Sequence, residues 1–350
     1  MQVKDKKILV ALSGGVDSAV SAIKLIHHGA RVTGLYIDMS GATGNAGQKQ
    51  ATEKLADRLG IKLITVNASH TFHAKVVERF VREYLEARTP NPCVICNPEI
   101  KFHIGLEICA RYGFDIFATG HYARIDNDIA TGKLHLRKGM DTGKDQSYFL
   151  HRVSATALAR SIFPLGDMLK TDVIAMAESE KITDDIQPES QEICFLNDNY
   201  RAFIENQALQ NSISGPVRTV DGEIKGYHKG LHRYTVGQRR GLGIPDATPY
   251  YVVRLEASSN SVIIGKKHDL AKGTLTMEDV SWISGSPPSE NGVYNVKIRY
   301  RHTGAPAGIR RISGEMWQIS FREPQYAVTP GQYAVVYDGD RVLGGGKICG

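Results

Sequence analysis

The first 125 residues alternate short apolar segments with longer amphipathic ones. Apolar runs occur at residues 6–12, 31–39, 61–68 and 114–123, and the residues between the first three runs have apolar side chains at helical spacing. A short, continuous apolar run indicates a strand buried on both faces. The alternation therefore predicts a doubly wound α/β domain, a parallel sheet with helices on both sides. Ligands of such sheets bind at the carboxyl ends of the strands.

The rest of the chain has a different texture. From about residue 210 glycine is frequent and no helical period is present, and from residue 271 strand alternation dominates. We predict a catalytic domain at residues 1–208, a small central domain at 209–270 and a C-terminal β-barrel at 271–350.

Two segments of the tail support the barrel. In residues 293–301, apolar or aromatic side chains alternate with basic or polar ones, which predicts a strand with one buried and one basic face. The pair Gly339-Asp340 predicts a hairpin turn between two further strands.

Composition narrows the class of protein. Apolar residues make up 42% and charged residues 23% of 350 residues, as in ordinary globular proteins. We find no apolar run of the roughly 18 residues that a membrane span needs, no signal peptide, and five cysteines that do not suggest a secreted disulfide framework. We expect a cytoplasmic protein with no membrane partner. The net charge of +6 fits either a slightly basic enzyme or a polyanion binder.

The sequence "SGGVDS", residues 13–18, lies between the first predicted strand and the first predicted helix. Its glycines permit a sharp turn that exposes backbone N–H groups, and the helix N-terminus adds unpaired donors and a positive dipole end. This arrangement predicts an anion-binding loop that suits a nucleotide phosphate. It is not a Walker loop, because it has no lysine for the γ-phosphate.

The loop resembles the pyrophosphate loop of the N-type ATP pyrophosphatases, which include GMP synthetases, argininosuccinate synthetases and tRNA-sulfurating enzymes. The resemblance implies ATP and Mg²⁺ as cofactors, cleavage of ATP between the α- and β-phosphates, and adenylation of a substrate oxygen. Asp17 would then act near the magnesium ion.

Six further motifs follow in order along the chain. They are "RTPNPCVICNPEIKF" (88–102), "ATGHYAR" (118–124), "GKDQSYFL" (143–150), "SQEICFL" (190–196), "YTVGQRRGLGI" (234–244) and "TPGQYAV" (329–335). Together with the loop they closely resemble the bacterial tRNA-specific 2-thiouridylase family (MnmA), over about residues 6–348. The family likeness implies a catalytic domain of the adenine nucleotide alpha hydrolase-like type.

That resemblance implies a two-step sulfur insertion at the wobble uridine, position 34, of tRNA. ATP adenylates the C2 oxygen, and sulfur then replaces the adenylate to give 2-thiouridine, AMP and pyrophosphate. The family's persulfide cysteine falls on Cys194 and its partner on Cys96. The sulfur donor would be a persulfide carrier protein or sulfide.

The same carry-over predicts two sets of binding residues. The ATP site would be lined by Ala11, Leu12, Ser13, Gly14, Gly15, Val16, Asp17, Ser18, Ile37 and Gly120. Contacts with tRNA would come from Asn91, Pro92, Cys93, His121, Lys144, Asp145, Gln146, Arg299, Tyr300 and Gln332. Basic residues of this kind position RNA through its phosphates.

Cys93 departs from the family pattern, in which an aspartate occupies this position. Cys93, Cys96 and Cys194 could therefore ligate a [4Fe–4S] cluster with one open iron, or act as free thiols. A structural zinc site is a third alternative, and would need a fourth ligand such as His103.

The other cysteines and a histidine pair have simpler interpretations. Cys109 shares a helical stripe with Leu106 and Phe102, so we predict a core position for it, and Cys349 is predicted to be an uninvolved thiol. His228 and His232 occur in a Gly-rich segment and are predicted to be structural.

Two rival functions remain open at this point. A different ATP pyrophosphatase, such as an amide-forming enzyme, would need the loop but neither the paired cysteines nor a basic β-rich tail. A non-enzymatic nucleotide-binding protein with an RNA-binding tail would need no reactive thiol.

Overall fold

The structure is a computed structural model, and it describes residues 2–40, 46–127, 133–183, 193–196, 199–208 and 213–349. It contains one parallel sheet, a four-stranded sheet in the middle of the sequence, and a larger sheet that closes into a barrel. No helix in the described ranges combines the length and the apolar character that crossing a membrane requires.

The N-terminal sheet is parallel, as predicted. Its strands are β1 Lys7–Ala11, β2 Arg31–Asp38, β3 Lys62–Asn67, β4 Ile116–Ala118 and β7 Ser161–Ile162. Their order is β3-β2-β1-β4-β7. Strands β2 and β3 therefore lie on one side of β1, and β4 and β7 lie on its other side. This reversal is a topological switch point, where such sheets bind ligands beyond the strand ends.

Helices cover both faces of this sheet. The helices of the described residues are α1 Val16–His27, α2 Ala46–Arg58, α3 Ser69–Phe72, α4 Glu78–Leu85, α5 Pro92–Cys96, α6 His103–Tyr112, α7 Ser147–Leu150, α8 Ala155–Ala159, α9 Lys170–Ser179 and α10 Tyr200–Ala208. Ile8 and Val10 of β1 pack in a cluster with residues of α1, whereas Leu9 packs in another cluster with residues of α6. Because successive strand side chains point to opposite faces, β1 is buried on both sides, and the doubly wound prediction is confirmed.

Two π-helical segments join helices into longer units. His73–Val77 connects α3 to α4, and Asn97–Phe102 connects α5 to α6. The Pro-flanked sequence around Cys93 and Cys96 predicts a loop, and this prediction is wrong, since both cysteines lie in α5. Pro92 is tolerated at the first helical position, where its missing N–H costs nothing. Pro98 lies inside the π segment, and a locally widened turn is a known way of accommodating such an interruption of the helical hydrogen bonds.

The central sheet contains β8 Gly215–Thr219, β9 Ile224–His228, β10 Tyr251–Glu256 and β11 Ser261–Gly265. Its order is β10-β11-β8-β9. Val217, Val252, Val262 and Ile264 form its core.

The C-terminal strands close on themselves, which confirms the predicted barrel. They are β12 Ala271–Trp282, β13 Tyr294–Lys297, β14 Ala305–Ser313, β15 Met316–Tyr326, β16 Tyr333–Asp338 and β17 Arg341–Ile348. The order β12-β15-β14-β13-β16-β17 is completed by pairing of β17 with β12. The hairpin turn at Gly339-Asp340 joins β16 to β17, as predicted. Strand β13 ends at Lys297, so Arg299 lies in the bend beyond it and not on the predicted strand face.

The strand predicted at residues 114–123 is divided. Only Ile116–Ala118 belongs to the parallel sheet, and the chain then enters a hairpin of β5 Ala123–Asn127 and β6 Leu134–Lys138. Strand β6 pairs with β17, so this hairpin extends the sheet of the barrel. Thr119, Gly120 and His121 therefore lie beyond the end of β4, at the switch point where sheets of this kind bind ligands.

Candidate active site

The loop between β1 and α1 is stabilised by hydrogen bonds of its own serines. Ser18 Oγ accepts a hydrogen bond from the backbone N of Ser13 (3.2 Å) and donates to the carbonyl of Gly15 (2.9 Å). Gly14 has φ +73°, and Gly15, the residue before α1, makes no side-chain cap. The first N–H groups of α1 therefore lack a side-chain cap at the carboxyl end of β1, which is the arrangement that binds phosphate.

Gly120 forms the opposite side of this loop. A Cβ atom on Gly120 would lie 3.0 Å from the carbonyl carbon of Asp17 and 3.1 Å from the backbone N of Ser18, so glycine permits the close approach of the two backbones. The neighbouring His121 hydrogen-bonds Thr119 Oγ1 through Nδ1 (2.7 Å). Burial, with a contribution from the charge of Lys101, lowers the pKa of His121 to about 3. Its imidazole is therefore neutral at physiological pH.

Asp17 has two partners that are remote in the sequence. Lys170 Nζ lies 2.7 Å from Asp17 Oδ1, and the Tyr122 hydroxyl donates to the same oxygen at 2.8 Å. Lys170 is 153 positions from Asp17 and lies at the start of α9, and no sequence motif predicted its role. The loop has no Walker lysine of its own, but folding places an ammonium group beside it.

A pocket of about 300 Å³ opens at the switch point. Seven of the predicted ATP-site residues line it: Ala11, Leu12, Ser13, Asp17, Ser18, Ile37 and Gly120. Gly14, Gly15 and Val16 belong to the same loop but are not in the lining. Cys194 and Lys101 are part of the pocket wall, so a thiol and a cation share the cavity with the Gly-rich loop.

A second, wider cleft of about 960 Å³ lies between the catalytic region and the barrel. Its lining includes the predicted tRNA contacts Asn91, Pro92, Cys93, Lys144, Asp145, Gln146 and Tyr300, together with Lys138, Lys297 and Arg301. Gln146 lines both cavities, so the cleft and the pocket adjoin. The rings of Phe149 and Tyr300, one from each side of the cleft, are 4.4 Å apart.

Some predicted tRNA contacts have protein partners. The Asp145 carboxylate accepts from the backbone N of Gly139 (3.1 Å) and of Ser147 (3.0 Å), and the residue is buried. Arg299 donates to the carbonyl of Tyr326 at 3.2 Å. Gln332 Nε2 donates to the carbonyl of Thr89 at 2.9 Å. His121 lies in the pocket and not in the cleft. Their contact with tRNA stays a prediction.

Three cysteines lie near the junction of the two cavities: Cys194 lines the pocket, Cys93 lines the cleft, and Cys96 is three positions after Cys93 in α5. Cys93 and Cys194 are exposed, whereas Cys96 is only 5% exposed and its sulfur lies 4.0 Å from Met39 Sδ. The protein around each thiol displaces part of its hydration, and this is the largest cause that raises the pKa of each, to about 12 for Cys96, whereas the charge of Lys101 acts in the opposite direction on all three. The charges of Cys93 and Cys194 also raise the pKa of Cys96. The sulfurs are therefore close enough to interact, although 98 positions separate Cys96 from Cys194.

The remaining cysteines and histidines lie away from this site. Cys109 is 1% exposed in the hydrophobic core, as predicted. Cys349 Sγ lies 3.4 Å from Thr276 Oγ1. His228 Nε2 bonds the carbonyl of Asn260 and His232 Nε2 bonds Glu205 Oε1, arrangements typical of structural histidines.

The three thiols are the candidate donors for a metal ion or cluster. Three thiols suit iron–sulfur chemistry, but within the described ranges no three His, Cys, Asp or Glu side chains are arranged to hold a metal ion. His103, the nearby histidine considered for the zinc alternative, is exposed at the start of α6. Residues 190–192 of the "SQEICFL" motif lie outside the described residues.

The Gly-rich loop at the switch point defines a nucleotide-binding α/β domain of the adenine nucleotide alpha hydrolase-like type. Family models agree: "tRNA methyl transferase HUP domain" matches residues 6–198, "tRNA methyl transferase PRC-barrel domain" residues 201–266 and "Aminomethyltransferase beta-barrel domain" residues 272–348. The tRNA-specific 2-thiouridylase MnmA of Geobacter metallireducens is 42% identical (98% of this chain, 96% of the relative), and that of Solibacter usitatus 41% identical (98% and 99%). The chain therefore belongs to the tRNA-specific 2-thiouridylase family, as its motifs predicted.

The solved structures that match this chain are less similar to it. The U34-tRNA thiolase NcsA from Methanococcus maripaludis with its [4Fe-4S] cluster is 18% identical, with a TM-score of 0.36, over 58% of this chain and 65% of that one. A 4-thiouridine synthetase–RNA complex with bound ATP is 17% identical, with a TM-score of 0.40, over 58% and 50%.

Proposed function

We propose that this protein is an ATP-dependent tRNA-uridine 2-sulfurtransferase that converts the wobble uridine, position 34, of tRNA into 2-thiouridine. The observation that carries the proposal is that Cys194 lies in the wall of the pocket formed by the Gly-rich loop. Nucleotide activation and sulfur delivery can then act on one atom of the substrate. Relatives that match over nearly the whole chain and are named tRNA-specific 2-thiouridylase support this choice.

In the first step the loop and the N-terminus of α1 hold the phosphates of ATP. The C2 oxygen of the uracil attacks the α-phosphorus, a bond forms between them, and the bond to the β-phosphate oxygen breaks to release pyrophosphate. Mg²⁺ bound near Asp17 would neutralise phosphate charge when present. Lys170 bonds one carboxylate oxygen of Asp17 and thereby fixes the orientation of the group.

In the second step a persulfide on Cys194 supplies the sulfur. Its terminal sulfur attacks C2, and the bond between C2 and the adenylate oxygen breaks to release AMP. A second thiolate then attacks Cys194 Sγ, which leaves sulfur on C2 and a disulfide in the protein, and an external two-electron reductant reopens the disulfide. In the variant of this route in which the second thiol attacks first, hydrosulfide is released and becomes the nucleophile.

The identity of the second thiol is less simple than the family pattern implies. Cys96 is the predicted partner, but it is buried, whereas Cys93 is exposed and lines the cleft. Both thiols interact with Cys194. We propose Cys194 as the sulfur carrier and the α5 pair as the source of the second thiol.

A [4Fe–4S] cluster on the three cysteines is the alternative use of the same residues. The donor chemistry fits, but the described side chains are not in a ligating arrangement, and we derive no step through a cluster. Iron and acid-labile sulfide measured after anaerobic purification decide between the two: absence of both, with full activity from a persulfide donor, excludes the cluster.

The wider cleft is the proposed site for the anticodon region of tRNA. Lys138, Lys144, Lys297 and Arg301 line it, and the Phe149–Tyr300 ring pair offers a surface on which an unpaired base can stack. Cys194 is exposed, so a persulfide carrier protein or sulfide can reach it. The cytoplasmic location stays a prediction.

The test uses unmodified tRNA transcript, ATP, Mg²⁺ and a persulfide or sulfide source, with 2-thiouridine and AMP measured by mass spectrometry and chromatography. We expect Cys194→Ser to abolish 2-thiouridine while tRNA binding persists, and the matched control Cys349→Ser to retain full activity. Thiolation by Cys194→Ser would remove the assigned role. AMP formation on a different acceptor would favour another ATP pyrophosphatase, and no AMP with intact binding would favour the non-enzymatic rival.

A further inference from the structure

No sequence motif predicted a role for Lys101, but it lines the pocket together with Cys194. It lies in the π segment Asn97–Phe102, five positions after Cys96. In a regular α-helix, residues five apart point in directions roughly 140° apart around the axis. The i→i+5 turn of a π segment brings them back towards one face. The π segment thus directs Lys101 to the side of the helix that carries Cys96.

The surroundings of Lys101 contain sulfur in place of carboxylate. Across the described part of the chain, Lys101 has no ion pair or hydrogen bond with another side chain. The groups that act on its charge are the thiols of Cys96, Cys93 and Cys194.

Lys101 also lines the nucleotide pocket, together with Cys194 and His121. His121 is a neutral imidazole and cannot neutralise an anion by charge. An ammonium group surrounded by protein without a carboxylate partner is costly. Such a group is retained at sites where an anion is expected to arrive or form.

We propose that Lys101 acts in the second step. Its positive charge pairs with the anionic sulfur, a persulfide or hydrosulfide, that attacks C2 beside Cys194. This inference rests on the proposed function and deepens it. The ammonium stabilises the sulfur anion before attack and holds it at the boundary between the pocket and the cleft. Phosphate binding in the first step remains the task of the Gly-rich loop, which has its own backbone donors.

The experiment separates the two chemical steps in the full-length protein. Adenylation is measured as the ATP-dependent formation of the tRNA adenylate in the absence of a sulfur source. Sulfur transfer is followed in a single turnover from protein whose Cys194 persulfide was formed beforehand and quantified. Lys101→Met and Lys101→Gln remove the charge, Lys101→Arg keeps it, and Lys75→Met removes a surface lysine that pairs with Glu99.

We expect both neutral variants to lose sulfur transfer by about 10²-fold, the range for removing one charge-stabilising group. Adenylation and the KM for tRNA should remain near the wild-type values. Lys101→Arg should recover most of the transfer rate, and Lys75→Met should match the wild type in both steps. Persulfide loading measured by mass should be equal in all variants, which excludes a failure to receive sulfur.

Three results would overturn the inference. One is undiminished sulfur transfer in a folded neutral variant. Another is a parallel loss of adenylation and transfer, which would assign Lys101 to the nucleotide or to the fold. The third is failure of Lys101→Arg to restore transfer although its Tm equals that of the wild type. If wild-type protein forms no 2-thiouridine, the proposed function itself fails, which is distinct from each of these results.

Discussion

Cys93 and Cys96 lie three positions apart in one short helix, but their sulfurs have different surroundings. Cys93 is exposed to the cleft, and Cys96 is packed among apolar side chains with Met39 next to its sulfur. Thiolate reactivity depends on both access and pKa. The two thiols of α5 are therefore not interchangeable, even though their spacing makes them look like a pair.

Alkylation of metal-free, reduced protein tests this difference. We expect Cys93 and Cys194 to react with iodoacetamide at pH 8 at least about 10-fold faster than Cys96 and Cys109, because only exposed thiolates are attacked. The extent at each cysteine is read by peptide mass spectrometry over time. Equal rates at Cys93 and Cys96 would contradict the placement of Cys96, and full modification in denaturant provides the control.

His151 links stability to pH. It is fully buried, its Nδ1 lies 2.7 Å from the carbonyl of Tyr148, and burial lowers its pKa to about 3. The unfolded state, with an ordinary value near 6.5, therefore binds more protons below pH 6.5. The contribution of neutral His151 to the free energy of unfolding is therefore fully present above pH 6.5. It is lost as the pH falls towards 3, and the total loss is at most about 5 kcal/mol.

The corresponding variant is His151→Asn, whose amide can still donate to the Tyr148 carbonyl. Thermal unfolding between pH 7.5 and 4.5 should show a smaller decrease in Tm for the variant than for the wild type, although the variant starts from a lower Tm. An equal or steeper decrease in the variant would refute the linkage.

At the scale of elements, the approach of the β4 end to the Gly-rich loop is a close backbone contact. In Gly120→Ala the added Cβ would lie 3.0–3.1 Å from backbone atoms of Asp17 and Ser18, so the loop must shift. We expect the Kd for ATP to rise about 10-fold or more, since the phosphate donors lose their geometry. Gly47→Ala, where an added Cβ meets nothing within 4 Å, is the matched control. Unchanged ATP affinity in Gly120→Ala would contradict the contact.

A second element-scale contact joins the barrel to the segment before α5. Gln332 donates to the Thr89 carbonyl, the Thr89 N–H donates to the Pro330 carbonyl at 2.8 Å, and Gly331 between them has φ +92°. These bonds position the chain that leads into Asn91 and Cys93.

Gln332→Leu removes one of these bonds and separates two roles for the side chain. We expect the Gln332 side chain mainly to position the segment, because its amide N–H is already bonded. The variant should then lower the kcat of thiolation several-fold and leave the Kd for tRNA within about twofold of the wild-type value. Filter binding and single-turnover thiolation measure the two quantities. A large rise in Kd with unchanged kcat would instead support the tRNA contact predicted from the sequence.

The sequence predicted the elements whose signals are local. Strand and helix alternation, the loop before α1 and the Gly339-Asp340 hairpin all follow from patterns within about ten residues. The helix at Cys93 was missed because Pro92 and Pro98 are typical of loops, and the break after Ala118 was missed because the apolar run continues across it. Lys101 and Lys170 could not be found, since their importance arises from packing with residues far along the chain.

At the scale of the whole molecule, the catalytic region and the barrel share one sheet. Asp340, in the β16–β17 turn, accepts from Arg137 (2.6 Å) and Arg124 (2.8 Å) of the β5–β6 hairpin, where β6 pairs with β17. The cleft therefore has walls that are fixed relative to each other, with Lys144 on one side and Arg301 on the other. A rigid basic cleft can position a folded RNA in one register.

This arrangement predicts a localised salt dependence of tRNA binding. Arg301 is exposed in the cleft, whereas Arg322 is exposed on β15 and is not part of the cleft lining. A side chain that contacts a phosphate without charge releases fewer counterions when tRNA binds. Arg301→Gln should therefore make the slope of the logarithm of the tRNA association constant against log salt less negative by about 0.7–1. Arg322→Gln changes the net charge equally and should leave the slope unchanged. Binding titrations between 50 and 300 mM salt measure the slope for each variant. Equal slopes would place the RNA outside the cleft, because an effect of net charge alone is the same for the two arginines.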